Sequence, residues 1–423
     1  MIFWGCCRRA VHSAYRMSVS AINDLFEAIL PANKFYAGKL GGLRRLASLE
    51  EFASQVPFTT KDELAADHEA HPPYGSALTY PLETYNRFHQ TSGTRGNPLA
   101  WLDDPAGWAW ILRSWQWVWS KAGAQPGDGV FFPFSFGPFL GFWSAFEAAA
   151  EMGLRAIPGG GLSSEDRLRM MSTHRPKFVA ATPTYALHLA EVARRMNLPA
   201  NTLGVEALVV CGEPGGSIPE VRERIGSEWD ARVVDHHGMT EIGPVTVSDP
   251  EDPELLRIYH SSYHPEVIDP ASGEQVSPGE VGELVLTTLG RYGSPLVRYR
   301  TGDLVRPVAA TGMDPAPFAL RGGIIGRADD MVVVRGVNIY PSAVEAVVRS
   351  VDGVGEYRVE VDQRGELPEI GLVIEGPGGE EAAGELADRL RSVFSMRIPV
   401  RAVESGTLPV SEVKAKRWKV ICE

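Results

Sequence analysis

The sequence predicts an α/β protein built around a parallel sheet that is flanked by helices. Four short apolar runs, each bounded by turn residues, support this prediction: Gly129-Val130-Phe131-Phe132, Leu154-Arg155-Ala156-Ile157, Phe178-Val179-Ala180-Ala181 and Ala207-Leu208-Val209-Val210. Stretches that favour helix separate them, and this alternation is typical of parallel strands joined by helical crossovers. The chain has 423 residues, a length that favours two or three domains.

Helices are expected before and between these strands. Residues 1–17 are treated as a peripheral N-terminal extension, and residues 18–70 are predicted to be largely helical. Within them, 56–64 contains a capping threonine followed by acidic residues, which predicts a helix start. Apolar residues at helical spacing between Trp108 and Trp119 predict a further helix. Packing of that helix on a sheet explains the spacing better than an aromatic ligand box does.

The C-terminal part of the chain has a different pattern. Residues 280–289 alternate in polarity and predict a half-exposed strand of an antiparallel β subdomain, to which 304–308 also contributes. After Gly326 we expect a small unit of alternating elements, with strands at 331–334, 357–362 and 368–374 and helices at 341–350 and 380–395. We therefore predict a large N-terminal domain (18–328) with mixed or parallel sheets and a β subdomain, and a small α+β C-terminal domain (329–423).

Composition excludes several classes of function. The formal net charge of -12 argues against nucleic-acid binding, because the phosphate backbone attracts a basic surface. A run of ~18 apolar residues is absent from the sequence, so neither a transmembrane helix nor a membrane partner is expected. Four cysteines without a CxxC pair favour a reducing compartment, and we expect the cytoplasm. Cys211 near His236 and His237 could ligate a metal, but a buried apolar role is favoured.

Two segments carry groups suited to phosphate chemistry. In TSGTRGNP (91–98), glycines permit close backbone approach and hydroxyls can face phosphate oxygens, although such loops are often only turns. In DHHGMTE (235–241), the threonine hydroxyl can contact phosphate and Glu241 can hold Mg²⁺. A loop with a helix cap explains the second segment equally well.

Three further segments follow toward the C-terminus. YRTGD (299–303) places a carboxylate after a tight glycine turn, where it can accept hydrogen bonds from ribose hydroxyls. GRADDMVVVRGVNIYP (326–341) and LPVSEVKAKR (408–417) complete the set. Basic residues in such a tail more often form a solvated face than a site.

Taken together, the five segments resemble the acyl-adenylating superfamily of acyl-CoA synthetases, peptide-synthetase adenylation domains and luciferases. TSGTRGNP resembles its phosphate loop, HGMTE its YGMTE motif, YRTGD its ribose motif and LPVSEVKAKR its catalytic-lysine tail. HPEVIDPASGEQVSPGEVGELVLTTL, PLVRYRTGDL and GVNIYPSAVE are similar to the phenylacetate–CoA ligase group, as is Gly212-Glu213-Pro214. A fainter resemblance is to anthranilate-activating CoA ligases. The resemblance covers about residue 50 to the C-terminus.

The resemblance implies a two-step ligase that uses ATP, Mg²⁺ and coenzyme A. An acid first forms an acyl-adenylate with release of pyrophosphate, and the thiol of CoA then takes the acyl group. In this reading Thr240 binds the α-phosphate, Glu241 holds Mg²⁺ and Lys414 bridges the carboxylate and phosphate, with Lys416 as a rival. The remaining residues implied to bind the nucleotide are Thr91, Ser92, Gly93, Thr94, Glu213, Pro214, Asp235, His236, Asp303 and Arg327.

The family also rotates its small C-terminal domain between the two steps, about a hinge that corresponds to Asp329. The chain departs from the family pattern at three places. Arg95 and Asn97 replace the usual phosphate-loop residues, His237 stands where tyrosine is usual, and Val413 replaces glycine before Lys414.

An aromatic segment suggests the kind of acid. Residues 131–139 are dense in phenylalanine, which suits either a buried strand with its loop or a flat cleft for an aryl acid. The second reading favours anthranilate, benzoate or phenylacetate over fatty acids. The candidate pocket residues are Phe134, Phe136, Phe139, Gly212, His237 and Gly238.

Two alternatives stay open. The acceptor could be the phosphopantetheine of a carrier protein, because both thiols are alike at the reacting end. A non-catalytic nucleotide-binding homologue is the alternative from a different class, which the presence of Lys414, Glu241 and Asp303 disfavours. The expected partners are therefore the small molecules alone, with a homodimer among the options for assembly.

Overall fold

The computed structural model describes residues 19–43, 45–91, 98–309, 318–328, 332–334, 337–364, 368–409 and 417–421. The helices are α1 (19–29), α2 (Lys34–Lys39), α3 (Leu49–Gln55), α4 (Lys61–Ala70), α5 (Pro105–Ala122), α6 (Leu140–Glu151), α7 (Ser164–His174), α8 (Pro183–Arg195), α9 (Pro219–Trp229), α10 (Pro341–Arg349) and α11 (Gly379–Phe394). Short 3₁₀ turns occupy Leu82–Thr84 and Ala200–Thr202.

The strands before residue 250 are β1 (Arg87–Gln90), β2 (Ala100–Asp103), β3 (Gly129–Phe132), β4 (Arg155–Pro158), β5 (Phe178–Ala181), β6 (Ala207–Val210), β7 (Arg232–Asp235), β8 (Gly238–Met239), β9 (Gly243–Pro244) and β10 (Thr246–Ser248). Those of the β-rich segment that follows are β11 (Leu255–Ile258), β12 (Tyr263–Ile268), β13 (Gly282–Thr288), β14 (Tyr299–Val305), β15 (Pro307–Ala309) and β16 (Phe318–Arg321). The C-terminal strands are β17 (Gly326–Arg327), β18 (Val332–Val334), β19 (Val337–Ile339), β20 (Glu356–Asp362), β21 (Glu369–Glu375), β22 (Val400–Val403) and β23 (Trp418–Ile421).

The chain divides into two compact units. Unit 1 comprises the described residues within Met1–Asp128, Ser135–Ala156 and His236–Arg321, and unit 2 those within Gly129–Phe134, Ile157–Asp235 and Gly322–Glu423.

Unit 1 combines helices with antiparallel sheets. Helix α5 starts at the cap residue Asp104 with a proline in its first turn, ends at Gly123 (φ 91°) and packs on α6. Four of its five tryptophans are core residues, and Trp119 is fully buried. The two main sheets have the orders β12-β13-β14 and β10-β11-β16-β15. The apolar residues from Trp108 to Trp119 form one wide face of α5, so their helical spacing is explained by packing of the helix on its neighbours.

Unit 2 contains the predicted parallel sheet. Its strand order is β4-β3-β5-β6-β7, and the pairs β3–β5, β5–β6 and β6–β7 are parallel. Each of the four predicted apolar runs forms one of its strands, which confirms the α/β fold. An apolar cluster that includes Phe131, Leu189 and Trp229 joins the sheet to α7, α8 and α9. The C-terminal part adds the sheet β22-β21-β20-β23 with α10 and α11, as the predicted α+β pattern required.

One expectation about the strands is wrong. Strand β13 was expected to be half-exposed because its sequence alternates, but every one of its residues is buried. Two features make the polar positions compatible with burial. Glu283 is paired with Arg300 (Nη2 to Oε2, 2.5 Å), and the Thr287 hydroxyl accepts the amide of Arg298 (2.9 Å). The polar residues that alternate along β13 are therefore buried with hydrogen-bond partners and do not mark a solvent-exposed face.

The proposed boundary between the domains stays a prediction, because Asp329 lies outside the described residues. Across the part of the chain that the structure describes, every helix is too short or too polar to cross a membrane.

Candidate active site

A two-stranded hairpin in unit 1 carries the last four residues of the DHHGMTE segment. Strand β8 pairs with β9, with Gly238 opposite Pro244 and Met239 opposite Gly243. A side chain at Gly238 would place its Cβ 2.7 Å from the carbonyl oxygen of Gly243, so only glycine allows the strands to approach this closely. The hairpin turn then presents Thr240, which is half-buried, and Glu241, which is buried.

Three charged side chains fix Glu241. Its carboxylate accepts from the Lys61 ammonium at the start of α4 (2.9 Å), and its backbone carbonyl accepts from Arg291 (2.6 Å). Arg291 is in turn held by two bonds of 2.7 Å to Asp103, and both side chains are completely buried. Arg291 therefore holds the backbone of Glu241 and Lys61 holds its carboxylate. The carboxylate is oriented without being paired with Arg291.

A second carboxylate of unit 1 is Asp303, on β14 after Gly302. Gly302 has φ 76°, a conformation that favours glycine, and the Asp303 amide donates to the Thr301 hydroxyl (3.0 Å). One Asp303 oxygen lies 2.9 Å from Nε2 of His237. The candidate ribose carboxylate thus has a histidine partner, whereas the sequence suggested that His237 faces the acid substrate. That substrate role stays a prediction.

The neighbouring His236 is placed differently. Its Nδ1 lies 2.6 Å from the carbonyl oxygen of Thr246, and its ring lies 4.3 Å from that of Trp115 on α5. Burial lowers the pKa of His236 to about 3, so the ring is neutral and donates from Nδ1 to the carbonyl. His236 therefore aligns the segment by packing and by one backbone bond.

In unit 2, the carboxyl ends of β6 and β7 carry a further group of candidates. Asp235 ends β7, and one of its oxygens accepts from the Ser217 hydroxyl (2.5 Å). A Cβ at Gly216 would come within 2.5 Å of the Asp235 carboxyl group, so this loop packs directly on it. The carboxyl edge of a parallel sheet is where α/β enzymes place their ligands.

The loop after β6 belongs to the same edge. Gly212 has φ 91°, Pro214 is exposed, and one Glu213 oxygen accepts the amide of Thr184 (2.7 Å). Thr184 is in the first turn of α8, whose free amides and dipole favour a carboxylate. Burial raises the pKa of the neighbouring Cys211 thiol to about 12, so it does not supply a thiolate. Half-buried Arg327 lies on β17.

Comparison with known proteins identifies this arrangement. The chain matches the AMP-binding enzyme family over residues 89–290 and the AMP-binding enzyme C-terminal domain over residues 336–419. It is 31% identical to phenylacetate-coenzyme A ligase of Pseudomonas putida over 386 residues, which cover 88% of this chain and 84% of that protein. The chain belongs to the phenylacetate–CoA ligase family. It is thus an AMP-forming acid–thiol ligase.

Two further relatives agree. Phenylacetate-coenzyme A ligase of Thermus thermophilus is 32% identical over 76% of this chain and 71% of its own length. The crystal structure of 2-hydroxyisobutyryl-CoA ligase in the postadenylation state, in complex with 2-HIB-AMP, is 29% identical with a TM-score of 0.90. The match covers 96% of this chain and 89% of that one.

Several residues that the family resemblance singled out lie outside the described residues, namely Ser92, Gly93, Thr94, Asp329, Lys414 and Lys416. Thr91 and Leu99 flank the phosphate-loop segment and are joined by two bonds of 3.0 Å, from the Thr91 amide to the Leu99 carbonyl and from the Leu99 amide to the Thr91 hydroxyl. The ends of the loop are therefore held together, and Thr91 contributes to the loop's base.

Magnesium is the metal that such a ligase implies. Among the described residues there is no group of three or more histidine, cysteine or acidic side chains that could form a metal cage. Mg²⁺ does not require one, because it is commonly bound through one or two carboxylates plus phosphate and water. The buried, preoriented carboxylate of Glu241 fits this role, and Lys61 occupies one of its oxygens.

The phenylalanine-rich segment is split between the two units. Phe134 is buried in unit 2, with its ring 5.8 Å from that of Phe132. Phe136 and Phe139 are in unit 1, where Phe136 contacts Trp143 (4.8 Å) and Phe146 (5.3 Å) of α6 and Phe139 contacts Phe142. Helix α6 also lies against both strands of the hairpin that presents Glu241. In unit 1, the helix that carries part of this aromatic group therefore also contacts the hairpin.

Some residues of the site were not found from the sequence. Lys61, Arg291, Ser217 and Thr184 hold the candidates in place through contacts that span 180, 50, 18 and 29 residues respectively. Lys61 follows a capping threonine and carries no motif. One local feature could have drawn attention to it. Lys61 follows a helix cap and has no acidic residue three or four positions later on its helix with which it could pair.

Proposed function

We propose that this chain activates a small aromatic acid with ATP and Mg²⁺ and transfers the acyl group to coenzyme A. The observation that supports it best is that, within unit 1, helix α6 contacts both the aromatic ring of Phe136 and the hairpin that presents Thr240 and Glu241. Aromatic rings prefer offset or edge contacts with other rings, so a flat acid suits such surroundings better than an alkyl chain does.

In the first step the carboxylate of the acid displaces pyrophosphate from the α-phosphate of ATP. Negative charge collects on the phosphate, and bound Mg²⁺ would neutralise part of it. Glu241 would hold the metal and Thr240 would donate its hydroxyl to the α-phosphate. Lys414 would neutralise the incoming carboxylate. The ion pair with Lys61 (2.9 Å) holds the Glu241 carboxylate in place.

The remaining carboxylates suit the nucleoside. Asp303 would accept the ribose hydroxyls, with its second oxygen held by His237. Glu213 accepts a backbone amide of α8 and Asp235 accepts the Ser217 hydroxyl, and both would border the adenine from the carboxyl edge of the sheet. In the second step the thiol of CoA displaces AMP from the acyl-adenylate.

ATP–pyrophosphate exchange with anthranilate, benzoate, salicylate and phenylacetate, each with Mg²⁺, tests the proposal. We expect exchange with at least one acid and little with a fatty acid of similar mass. Exchange with aliphatic acids alone would overturn the aromatic assignment. Offering CoA and a carrier protein together to the preferred acid then decides the acceptor, and CoA is expected because the relatives are CoA ligases.

A further inference from the structure

Arg298 of unit 1 has an unusual backbone conformation directly before β14. Its φ is 45°, in the left-handed region that residues with a side chain rarely adopt. Such a conformation persists only where surrounding contacts hold it, and it is found most often at functional sites. The Arg298 amide donates to the Thr287 hydroxyl (2.9 Å), and its side chain is 5% exposed. The partners of Arg298 therefore indicate its role.

The guanidinium of Arg298 joins two elements of unit 1. Nε (3.0 Å) and Nη2 (2.8 Å) donate to the carboxylate of Glu266 on β12. Nη1 donates to the carbonyls of Ala53 (2.7 Å) and Val56 (2.5 Å) at the C-terminal end of α3, where helical carbonyls lack partners and favour a cation. The ring centroid of Phe58 lies 4.0 Å from the central guanidinium carbon. This set of partners requires the planar fork of an arginine.

The main chain of the same turn holds the segment that follows α3. The carbonyl of Arg298 accepts the amide of Thr59 (2.9 Å), and the carbonyl of Thr59 accepts the amide of Arg300 (2.9 Å). Thr59 thereby forms a parallel bridge with Tyr299, and it is fully buried. The side chain and the main chain of Arg298 therefore fix residues 53–59 against the start of β14.

This segment leads directly into the candidate site. Thr60 caps α4, and Lys61 is the first residue of that helix, two residues after Thr59. Two residues of extended chain span at most about 7 Å, so the Thr59 bridge limits where Lys61 can lie. The Lys61 side chain is half-exposed, and among the described residues Glu241 is its ion partner (2.9 Å). Contact between the Lys61 ammonium and Glu241 therefore depends on where α4 begins.

Other contacts of α4 act at different points of the helix. Glu63 completes the capping box with Thr60 and pairs with Lys39 (2.6 Å). Glu63 is half-exposed, and exposed ion pairs contribute little stability. Helix α4 also contacts β14, the strand that begins after Arg298. The contacts of Arg298 are buried and lie immediately before Lys61 in the chain, so they constrain this lysine most directly.

We propose that Arg298 is a positioning residue for the Glu241 carboxylate: it fixes the segment between α3 and α4 so that Lys61 reaches Glu241. This inference rests on the proposed function, in which Glu241 would hold Mg²⁺. It predicts that Arg298 acts on the reaction through Lys61. An arginine that only stabilises the fold would act on the rate independently of Lys61.

A double-mutant cycle tests this dependence. Arg298→Lys keeps a cation opposite Glu266, whose pKa burial raises, but it cannot bind Glu266 and the carbonyls of α3 together. We expect the kcat of ATP–pyrophosphate exchange to fall about tenfold, as for loss of charged hydrogen bonds. In a chain that already carries Lys61→Met, the same change should lower kcat less than about twofold, because the two residues act as one unit. Equal falls in both backgrounds, or no fall in either, would overturn the proposal.

Matched variants separate positioning from general destabilisation. Arg257→Lys changes a buried arginine of β11 that pairs with Asp249 (2.6 Å), and it should change kcat less than about twofold in either background. Phe58→Leu removes the ring beside the guanidinium, so it should lower kcat by a smaller factor than Arg298→Lys, again only when Lys61 is present. If Arg298→Lys does not fold, the cycle of Phe58→Leu with Lys61→Met decides by the same criterion.

Failure of the proposed function is distinguishable from failure of this inference. If the unaltered chain exchanges no pyrophosphate with any acid, the function is wrong, and amine labelling still tests the contact. Acetylation of Lys61 by acetic anhydride, followed by mass spectrometry, should be about threefold faster in Arg298→Lys, as for loss of a partly exposed ion pair. Lys121, an exposed lysine of α5, should be labelled at the same rate in both chains. An unchanged rate at Lys61 would contradict the inference.

Discussion

Two buried arginines, one in each unit, hold their surroundings in opposite ways. Arg291 of unit 1 makes two bonds to Asp103 and one to the backbone of Glu241, and neither side chain of the pair is exposed. Arg417 of unit 2 also binds carboxylates, but its contact with α8 is a single bond to the Thr184 hydroxyl. The partners of Arg291 are thus a carboxylate and a backbone carbonyl, whereas the partner of Arg417 on α8 is a neutral hydroxyl.

The difference indicates two kinds of task. Breaking the Arg291–Asp103 pair would strand a buried charge, so the hairpin that carries Glu241 is held permanently. Loss of the Thr184 hydroxyl, in contrast, would leave Arg417 paired with its carboxylates and would strand no buried charge.

Lys414→Ala should produce the largest effect and would show whether the segment before Arg417 serves chemistry. We expect adenylation to fall by about a thousandfold or more if, as proposed, Lys414 neutralises the incoming carboxylate. Thioester formation from supplied acyl-adenylate should stay near normal. Rapid-quench assays of each half-reaction measure this, and Lys416→Ala is the control. Near-normal pyrophosphate release from Lys414→Ala would refute the assignment.

Arg291→Met should be the most destabilising change at either arginine. It leaves Asp103 buried without its partner, which costs about 3–5 kcal/mol of unfolding free energy. Arg417→Met leaves Glu356 without its arginine, but it should cost less, because Glu356 keeps the backbone amide of Tyr357 and Glu345 keeps Arg349. Urea unfolding of the two variants side by side gives the comparison. A larger loss in Arg417→Met would reverse the roles assigned above.

Glu241→Gln should reduce catalysis without unfolding the hairpin. The backbone carbonyl still accepts from Arg291, while the metal loses a charged ligand and Lys61 loses its partner. We expect kcat for adenylation to fall about a hundredfold and the Mg²⁺ concentration for half-maximal rate to rise. Lys61→Met separates the two causes, since it removes the cation but keeps the carboxylate. An unchanged Mg²⁺ dependence in Glu241→Gln would contradict the metal role.

Acid should destabilise unit 1 through its buried histidines. Burial lowers the pKa of His236 to about 3 and, with Arg298 nearby, that of His264 to about 4, whereas the unfolded side chains titrate near the ordinary 6.5. The unfolded state therefore binds protons first, and stability is lost as pH falls below 6.5 toward 4. Tryptophan fluorescence can follow the acid unfolding of unit 1, because helix α5 of this unit contains several tryptophans.

A histidine replacement checks the cause of this acid effect. His264→Phe should lower the pH at the midpoint of acid unfolding by a few tenths of a unit, since one buried base is removed from several. His174→Gln, on the exposed end of α7, should leave the midpoint in place. Equal midpoints in all three proteins would show that carboxylates, not these histidines, set the acid limit.

Local sequence determined much of this protein. Three of the apolar runs became fully buried strands because consecutive apolar residues between turns fit a sheet covered on both faces. The fourth run contains Arg155 and became the partly exposed edge strand β4. Thr60 and Glu63 form the capping box that begins α4, and Pro341 opens α10 as expected. The family motifs could also be recognised from the sequence, because each lies within a short stretch of chain.

Tertiary structure alone decided which groups meet. Lys61 and Glu241 are 180 residues apart, His237 and Asp303 are 66 apart, and Arg417 and Thr184 are 233 apart. Strand β23 became visible only through its parallel pairing with β20. A charge or hydroxyl carries no local signal of its distant partner, because that pairing depends on the path of the whole chain and on the exclusion of water around both groups.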